Sequence, residues 1–330
     1  MVLAQGKIGV LLLNLGSPQA PTASALRLFL HEFLSDRRIV DLPAWQWMPV
    51  LHGLILRTRP AKSAQKYQRI WTENGSPLIS YSALLREALE QRLQDWGPGC
   101  VAVDFAMRYG EPATASVLDR MVHLGVKRIL AIPLYPQYSS TTTASSLDAV
   151  GRWSKRQVFV PEFRFINGYH DDEAYIKALC QQVHSHWHAH GRAECLLMSF
   201  HGIPVSVHEA GDPYYAECRQ TAHLLARALD LRDDEFRLTF QSRFGRAKWL
   251  EPATEPTLRE MGRQGIRSVD VICPGFSADC LETLEEINME CRQVFLDNGG
   301  KDFRYIPCLN VQKAWVDALA GLVRQHVQGW

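Results

Sequence analysis

Side chains that can handle metal ions or protons follow two apolar segments of the sequence. His201 lies in Ser-Phe-His-Gly-Ile-Pro at 199–204, and the glutamates Glu282, Glu286 and Glu290 come shortly after Asp279. An imidazole can accept protons near neutral pH and can bind divalent iron. Because ligands of open α/β sheets bind beyond the carboxyl ends of strands, we expect both groups to face one cleft.

The glutamate row also has a purely structural interpretation. Asp279 followed by Glu282 resembles a capping box, and acidic residues in a first turn suit the helix dipole. Glu286 and Glu290 extend beyond the reach of the dipole, and like charges four residues apart oppose an α-helix by about 0.2–0.5 kcal/mol per pair. A wider π-type turn would align all three carboxylates, and π segments are common at functional sites.

Histidines occur in two settings, each with its own structural interpretation. His201 could be a turn residue with a locally hydrogen-bonded ring, since Gly202 to Pro204 form a turn signal. A second group has the i,i+4 spacing of a helical metal chelate. These residues end a helix before Gly191, at the edge opposite the expected ligand side, so we interpret them as an exposed helix end. They are His184, His186, His188 and His190.

Two further segments place aromatic or cationic side chains after predicted strands. Tyr135 precedes a hydroxyl cluster at 139–143 that could also cap a helix. Arg243, Arg246 and Trp249 follow the strand predicted at 237–241. Aromatic faces beside cations favour a flat, anionic ligand.

Apolar runs predict the elements that carry these groups. Continuous runs at 7–14 and 194–200 end near a glycine and are typical of strands buried on both faces. The segments 125–133 and 265–274 repeat one pattern, a Gly-basic start and a proline end, which indicates two related halves. With strands also at 101–105 and 237–241 and helices at 81–93 and 171–182, the chain predicts an α/β fold of two Rossmann-like lobes with parallel sheets and a cleft between them.

We place the boundary between the two lobes at residue 165. The N-terminal lobe, 1–165, contains an apolar segment at 42–56 with two tryptophans, which we name the lip segment; it suits a membrane interface or a pocket rim as well as a packed loop and helix. The C-terminal lobe, 166–330, carries His201 and Glu282 and ends in a closing helix at 311–328. No stretch has the length of about 20 apolar residues that spans a bilayer.

Composition excludes several classes of function. Lys plus Arg number 36 and Asp plus Glu 35, so the chain lacks the basic excess of a nucleic-acid-binding protein. The eight cysteines include no Cys-x-x-Cys pair and the N-terminus lacks a signal-peptide pattern, which favours a reduced, cytoplasmic location. The single glycine after the first strand, Gly16, disfavours dinucleotide binding.

Six segments, in this order across nearly the whole chain, carry a family resemblance. They are Leu-Leu-Asn-Leu-Gly-Ser-Pro (12–18), Tyr-Pro-Gln-Tyr-Ser (135–139), Ser-Phe-His-Gly-Ile-Pro (199–204), Phe-Gln-Ser-Arg (240–243), Trp-Leu (249–250) and Asp-Cys-Leu-Glu-Thr-Leu (279–284). The combination resembles the ferrochelatases, which insert ferrous iron into a porphyrin. The resemblance implies a chelatase-like pair of lobes with the porphyrin in the cleft.

The resemblance also implies roles for individual residues. It makes His201 and Glu282 catalytic and metal-binding, and Glu286 and Glu290 a path for metal ions or protons. Its porphyrin-contacting positions fall on Leu15, Arg59, Tyr67, Ser76, Arg108, Tyr135, Trp249 and Phe276.

Two departures from the family pattern affect what is expected. Some members hold a [2Fe–2S] cluster through late cysteines, whereas only Cys308 is late here, so we expect no cluster and no permanent cofactor. Some members have histidine where this chain has Cys280, and a role for that side chain is not implied.

The implied reaction is formation of protohaem from protoporphyrin IX and Fe²⁺, the terminal step of haem biosynthesis. Coproporphyrin is an alternative substrate, although its additional carboxylates call for extra cations, whereas Trp45 and Trp47 favour an apolar ring delivered from a membrane. Two other classes of protein are alternatives to this enzyme. One is a porphyrin or haem carrier that catalyses no reaction, and the other is a two-lobe protein that binds small polar ligands. The expected partners are thus porphyrin and iron, with peripheral membrane contact through the lip segment.

Overall fold

A computed structural model describes residues 7–96, 100–245 and 247–330, so Arg246 of the predicted cation and aromatic group lies outside the described residues. The chain divides into two compact units. Unit 1 comprises Met1–Leu134, Ser139–Asn167 and Leu319–Trp330, and unit 2 comprises Tyr135–Tyr138 and Gly168–Ala318.

Unit 1 is built on a four-stranded parallel sheet. Its strands are β1 (Lys7–Gly16), β2 (Val101–Tyr109), β3 (Val126–Pro133) and β4 (Glu162–Phe165). The order across the sheet is β2-β1-β3-β4. β1 has the most continuous apolar run and takes a central position, because only a strand covered on both faces buries every side chain.

Unit 2 repeats this arrangement. Its strands are β5 (Cys195–His201), β6 (Phe236–Gln241), β7 (Ser268–Ile272) and β8 (Asp302–Tyr305). All are parallel, in the order β6-β5-β7-β8. In both sheets the strands lie side by side in the order second, first, third, fourth, counted along the chain. This common order confirms the predicted α/β fold of two related parallel sheets.

The edge strands β4 and β8 were not predicted from the sequence. Each has four residues, and neither is apolar enough to form a buried run. Both gain their conformation from pairing with a neighbour, β3 and β7 respectively. Such short strands depend on tertiary contacts more than on intrinsic propensity.

Helices occupy the connections between the strands. In unit 1 they are Ala23–Leu34, Ala44–Val50, Leu56–Ile70, Pro77–Arg92, Thr114–His123 and Ser145–Ser154, with a 3₁₀ turn at Gln94–Trp96 and π-helices at Leu51–Ile55 and Ser140–Ala144. In unit 2 they are Glu173–His190, Val205–Glu209, Tyr214–Ala228, Thr254–Arg263 and Arg292–Asp297, with a π-helix at Glu282–Cys291. The last helix is Lys313–His326.

The end of the chain differs from the predicted division. The predicted boundary at 165 lies near the change of unit after Asn167, but Leu319–Trp330 groups with unit 1. The physical reason lies at β4: the Trp330 indole Nε1 donates to Glu162 at 2.6 Å, and Arg164 lies over the Trp330 ring at 4.4 Å. We expected a closing helix at 311–328, and a helix is observed at Lys313–His326. Its residues up to Ala318 belong to unit 2, and those from Leu319 onward belong to unit 1.

The lip segment is helical. It forms the end of a loop, the helix Ala44–Val50 and the π-helix Leu51–Ile55. Apolar side chains are exposed along it, led by Trp45 at 76% and Leu54 at 57%. Within the described ranges, no helix combines the length and apolar character needed to cross a membrane.

Candidate active site

His201 is the last residue of β5 and lies at the carboxyl end of the unit 2 sheet. Its ring is half-buried, and the Phe276 ring lies 6.4 Å away between centroids. The next residue, Gly202, has no room for a side chain, since a Cβ would stand 2.9 Å from the Gln241 carbonyl oxygen and 3.3 Å from the Trp249 ring. Close packing therefore restricts the backbone directly after the imidazole.

The hydrogen bonding of His201 determines its tautomer. Its Nδ1 lies 2.6 Å from the Gly202 carbonyl oxygen. A carbonyl oxygen can only accept, so Nδ1 carries the proton and Nε2 retains its lone pair in the neutral ring. The ring is thus locally hydrogen-bonded, as the structural interpretation required, and it still offers Nε2 as a base or metal ligand.

The glutamate row lies on the π-helix Glu282–Cys291, which confirms the predicted π geometry. The opposite face of this helix is anchored in the core by Ile287 and Cys291. Glu282 and Glu286 are half-buried, whereas Glu290 is exposed. The row therefore extends from the interior of unit 2 to its surface.

Glu286 is held by the two residues at the end of β6. The Ser242 backbone N–H donates to its Oε1 at 2.7 Å, the Ser242 hydroxyl donates to its Oε2, and the Gln241 amide donates to Oε2 at 3.4 Å. Burial nevertheless raises the pKa of Glu286, while the Ser242 hydrogen bonds and the charge of His201 act in the opposite direction. The carboxyl is therefore electrostatically linked to His201.

The capping-box interpretation of Asp279 and Glu282 is wrong. The residue before the π-helix is Leu281, and no side chain caps this helix. Asp279 is instead 3% exposed and accepts hydrogen bonds from the Tyr305 hydroxyl at 2.5 Å, Asn310 Nδ2 at 2.7 Å and the Thr283 hydroxyl at 3.1 Å. Tyr305 and Asn310, which are distant in sequence, together with Thr283 in the first turn of the π-helix determine the conformation of this aspartate.

Cys280 lies beside Glu282 but is not prepared for metal binding. Its side chain is buried, and burial raises the pKa of the thiol, with the neighbouring Glu282 carboxylate acting in the same direction. A metal ligand must be the thiolate, which this environment disfavours. Across the described ranges, no group of three or more His, Cys, Asp or Glu side chains is arranged to hold a metal ion.

Unit 2 also holds three of the predicted porphyrin contacts. Phe276 lies beside His201, and Tyr135 is half-buried. Trp249 is buried at 6%, its indole Nε1 donates to the Phe244 carbonyl at 2.9 Å, and the two rings lie 4.7 Å apart. Pro204 and Trp249 form a β-bridge, so the segment after β6 packs against the segment that follows His201.

The remaining predicted contacts belong to unit 1. Leu15 is the penultimate residue of β1 and packs with the buried cluster around Phe29. Arg59 and Tyr67 lie on the helix Leu56–Ile70, the first exposed and the second buried. Ser76 is buried directly before the helix Pro77–Arg92.

Arg108 lies in a buried ion pair. Its side chain and that of Asp36 are 8% and 9% exposed, and its Nε donates to the Ser145 hydroxyl at 2.7 Å. Asp36 also accepts from the Tyr109 hydroxyl at 2.8 Å and the Ser145 hydroxyl at 2.7 Å. The structure thus gives Arg108 a role in unit 1 packing, and its porphyrin contact stays a prediction.

The alternating histidines lie away from the site, as their position in the sequence predicted. They end the helix Glu173–His190, and Gly191 terminates it with a φ of 76°. His184, His188 and His190 are exposed. His186 is half-buried, and its Nε2 lies 3.5 Å from Asp270 Oδ1. Asp270 also accepts from the Trp187 indole at 2.7 Å, so the exposed helix end that we expected is partly a buried polar contact.

Sequence reasoning missed three polar residues around the π-helix. Gln241 and Ser242 bond Glu282 and Glu286, and Glu285 is 1% exposed. The segment 240–243 carries the family resemblance but has no chemical pattern that indicates these bonds. A polar residue at the end of a buried strand is the one signal that could have marked Gln241.

Comparison with known proteins identifies the family of the chain. The family model described as "Ferrochelatase" matches residues 7–327. The chain belongs to the ferrochelatase family. It is therefore a metal chelatase, and the family's activity is the insertion of iron into a porphyrin for haem synthesis.

Individual ferrochelatases match over most of their length. The ferrochelatase of Methylibium petroleiphilum is 52% identical over 98% of this chain and 89% of that protein. The ferrochelatase of a Polaromonas species is 54% identical over 97% of this chain and 87% of that protein. Among solved structures, SirB from Bacillus subtilis with Fe3+ has a TM-score of 0.58 at 12% identity, covering 98% of this chain and 96% of that one, which shows the common fold.

Proposed function

We propose that the chain inserts Fe²⁺ into protoporphyrin IX to form protohaem, with His201 as the base and Glu282 as the metal-binding carboxylate. The observation that carries the assignment of the base is the 2.6 Å hydrogen bond from His201 Nδ1 to the Gly202 carbonyl oxygen. It leaves the Nε2 lone pair free to accept a pyrrole proton. His201 and Glu282 are also the metal ligands of this proposal.

The reaction requires that two protons leave and one cation enters. The two pyrrole N–H bonds break one after the other, each leaving its electron pair on nitrogen. His201 Nε2 accepts the first proton and releases it to the glutamate row before it accepts the second, and the nitrogen pairs then bind Fe²⁺. Glu286 and Glu290 form the path of metal ions inward or protons outward. Oxygen and imidazole donors suit this task because they bind ferrous iron without the retention expected of a thiolate cage.

The substrate is tested by a steady-state insertion assay with protoporphyrin IX and coproporphyrin, followed by absorbance. We expect insertion with protoporphyrin at the higher kcat/KM. Preference for coproporphyrin would reject the substrate assignment, and binding of either porphyrin without insertion would support a carrier.

We propose that no [2Fe–2S] cluster or other permanent cofactor takes part. The late cysteine, Cys308, is buried, burial raises the pKa of its thiol, and the Tyr305 hydroxyl lies 3.5 Å from its sulfur. Iron and acid-labile sulfide analysis of the purified protein checks this proposal. Stoichiometric iron and sulfide would contradict it.

We propose peripheral membrane contact through the lip segment, with the protein on the cytoplasmic side. Exposed Trp45 and Leu54 supply the apolar surface that interfacial helices bury among lipid headgroups. Leu54→Asn should weaken co-sedimentation with anionic lipid vesicles. Leu124→Asn is the matched control, because Leu124 is 52% exposed and outside the lip segment; equal effects of both changes would reject the proposal.

A further inference from the structure

The dipeptide Gln241-Ser242, at the end of β6, holds the glutamate row from the sheet side. Gln241 is the last residue of β6 and is 3% exposed. Its Nε2 donates to the carbonyl oxygen of Glu282 at 2.9 Å. A side chain from a neighbouring strand is therefore bonded to the backbone of the first residue of the π-helix.

A buried hydroxyl group and a backbone carbonyl fix the orientation of the Gln241 amide. Gln241 Oε1 accepts from the Ser199 hydroxyl at 2.8 Å, and the Glu282 carbonyl oxygen, which can only accept, lies 2.9 Å from Gln241 Nε2. With Oε1 bound to Ser199, the amide NH₂ must face the π-helix. External partners of this kind are a known cause of irregular helix geometry.

Ser242 adopts a backbone conformation that few residues with side chains use. Its φ is 66°, in the left-handed region, where a residue other than glycine is strained. In this conformation its N–H donates to Glu286 Oε1 at 2.7 Å while its hydroxyl donates to Oε2. Both carboxylate oxygens are therefore held by one residue.

We propose that Gln241 and Ser242 are positioning residues of the metal path: Gln241 holds the π-helix backbone at Glu282, and Ser242 holds the Glu286 carboxylate in one orientation toward entering metal ions. This inference rests on the proposed function of the glutamate row. It goes beyond that function, since it assigns the positions of the Glu282 backbone and the Glu286 carboxylate to the last residue of β6 and the residue that follows it.

The test measures the KM for Zn²⁺ and for porphyrin separately in Ser242→Gly and Ser242→Ala. Both remove the hydroxyl, but only glycine suits the observed φ without strain. Hydrogen bonds to a charged group are stronger than those between neutral groups, so we expect the KM for Zn²⁺ to rise about tenfold in both variants. The KM for porphyrin should change by less than about twofold, because these residues act on the carboxylates.

A double-mutant cycle separates positioning from a general structural effect. If Ser242 acts through Glu286, adding Ser242→Gly to Glu286→Gln should change the KM for Zn²⁺ by less than about twofold. A wild-type KM in Ser242→Gly, or the full tenfold increase in the Glu286→Gln background, would overturn the proposal for Ser242. A wild-type protein that inserts no metal would refute the proposed function instead.

Gln241→Glu tests the other half of the dipeptide. It retains an acceptor for Ser199 but removes the NH₂ that donates to Glu282, so we expect at least the KM increase of Ser242→Gly. A folded variant with unchanged KM for Zn²⁺ would remove Gln241 from the proposal. The Ser242 variants decide the proposal independently of how well Gln241→Glu folds.

Discussion

At the scale of single residues, hydrogen bonding separates side chains of one type into different roles. His201 donates from Nδ1 to a backbone carbonyl and keeps Nε2 available, whereas His186 contacts the buried Asp270. Glu286 is held by Ser242, whereas Glu290 is exposed. Residue type alone therefore does not identify the chemistry of a position in this chain.

Replacement of His201 by alanine should abolish metal insertion and leave porphyrin binding. Removal of a general base costs about 10²–10⁴-fold in rate, and loss of a metal ligand adds to this. The measurement is the insertion rate by absorbance beside porphyrin affinity by fluorescence quenching. His188→Ala is the control, because His188 lies near the end of a helix away from the site; near-normal turnover in His201→Ala would exclude the proposed base.

Glu286→Gln should stabilise the protein at neutral pH. The pKa of Glu286 in the folded protein is raised above its ordinary value of 4.5 by burial, so the folded state loses stability as the pH rises from 4.5 to the raised pKa, and the full cost remains at higher pH. Below 4.5 the carboxyl is protonated in both states and this cost disappears. Thermal unfolding at pH 7 should therefore give Glu286→Gln a higher Tm than the wild type. This difference in Tm should become smaller as the pH is lowered.

The same pH series includes Glu290→Gln as a matched control. Glu290 is exposed, and a substitution there should change stability by less than about 0.5 kcal/mol. A Glu286→Gln protein that is less stable than wild type by the same amount at every pH would show that its hydrogen bonds outweigh the cost of its charge.

At the scale of elements, the π-helix is the feature on which the site depends. It has no side-chain cap, and its start is held by Asp279 from before the helix and by Gln241 from β6. Its inner face is buried through Ile287 and Cys291. A helix type that is uncommon in proteins is thus stabilised by tertiary contacts on several sides.

Asp279→Asn should destabilise unit 2 by about 2 kcal/mol or more. The substitution replaces a carboxylate that accepts from Tyr305, Asn310 and Thr283 with an amide that can accept at one oxygen only, and a buried donor left without a partner costs about 1–3 kcal/mol. Urea unfolding measures the change. Asp297→Asn is the control, since Asp297 accepts from Gln293 at an exposed position; equal losses would contradict this role of Asp279.

At the scale of the whole molecule, each unit has its own sheet, and the chain does not pass through the units in a single order. Tyr135–Tyr138 groups with unit 2 although the surrounding chain belongs to unit 1, and Leu319–Trp330 groups with unit 1. The end of the chain lies against β4 through Trp330, Glu162 and Arg164. Segments from both ends of the sequence thus complete unit 1.

Trp330→Ala should therefore destabilise unit 1, although the residue is the last of the chain. The substitution removes the bond to Glu162 and the aromatic face under Arg164, which together should contribute about 1–3 kcal/mol. Hydrogen exchange of the β4 amides measures the effect locally. Trp330→Phe retains the face and loses only the donor, so it should have the smaller effect; unchanged β4 exchange in Trp330→Ala would contradict the prediction.

The sequence by itself determined the central strands, the two related halves, the family and which glutamates form the row. These follow from short-range patterns, because a strand buried on both faces must be apolar and motif residues keep their spacing. The π geometry could also be predicted from the sequence, because three glutamates spaced four residues apart oppose an ordinary α-helix.

Only the tertiary structure decided which polar groups meet. Gln241 and Glu282 are 41 positions apart and Arg108 and Asp36 are 72 apart, and such pairs leave no periodic pattern in a single sequence. The same reason applies to β4, β8 and the position of Trp330. Their conformations depend on a neighbour that local propensity does not specify.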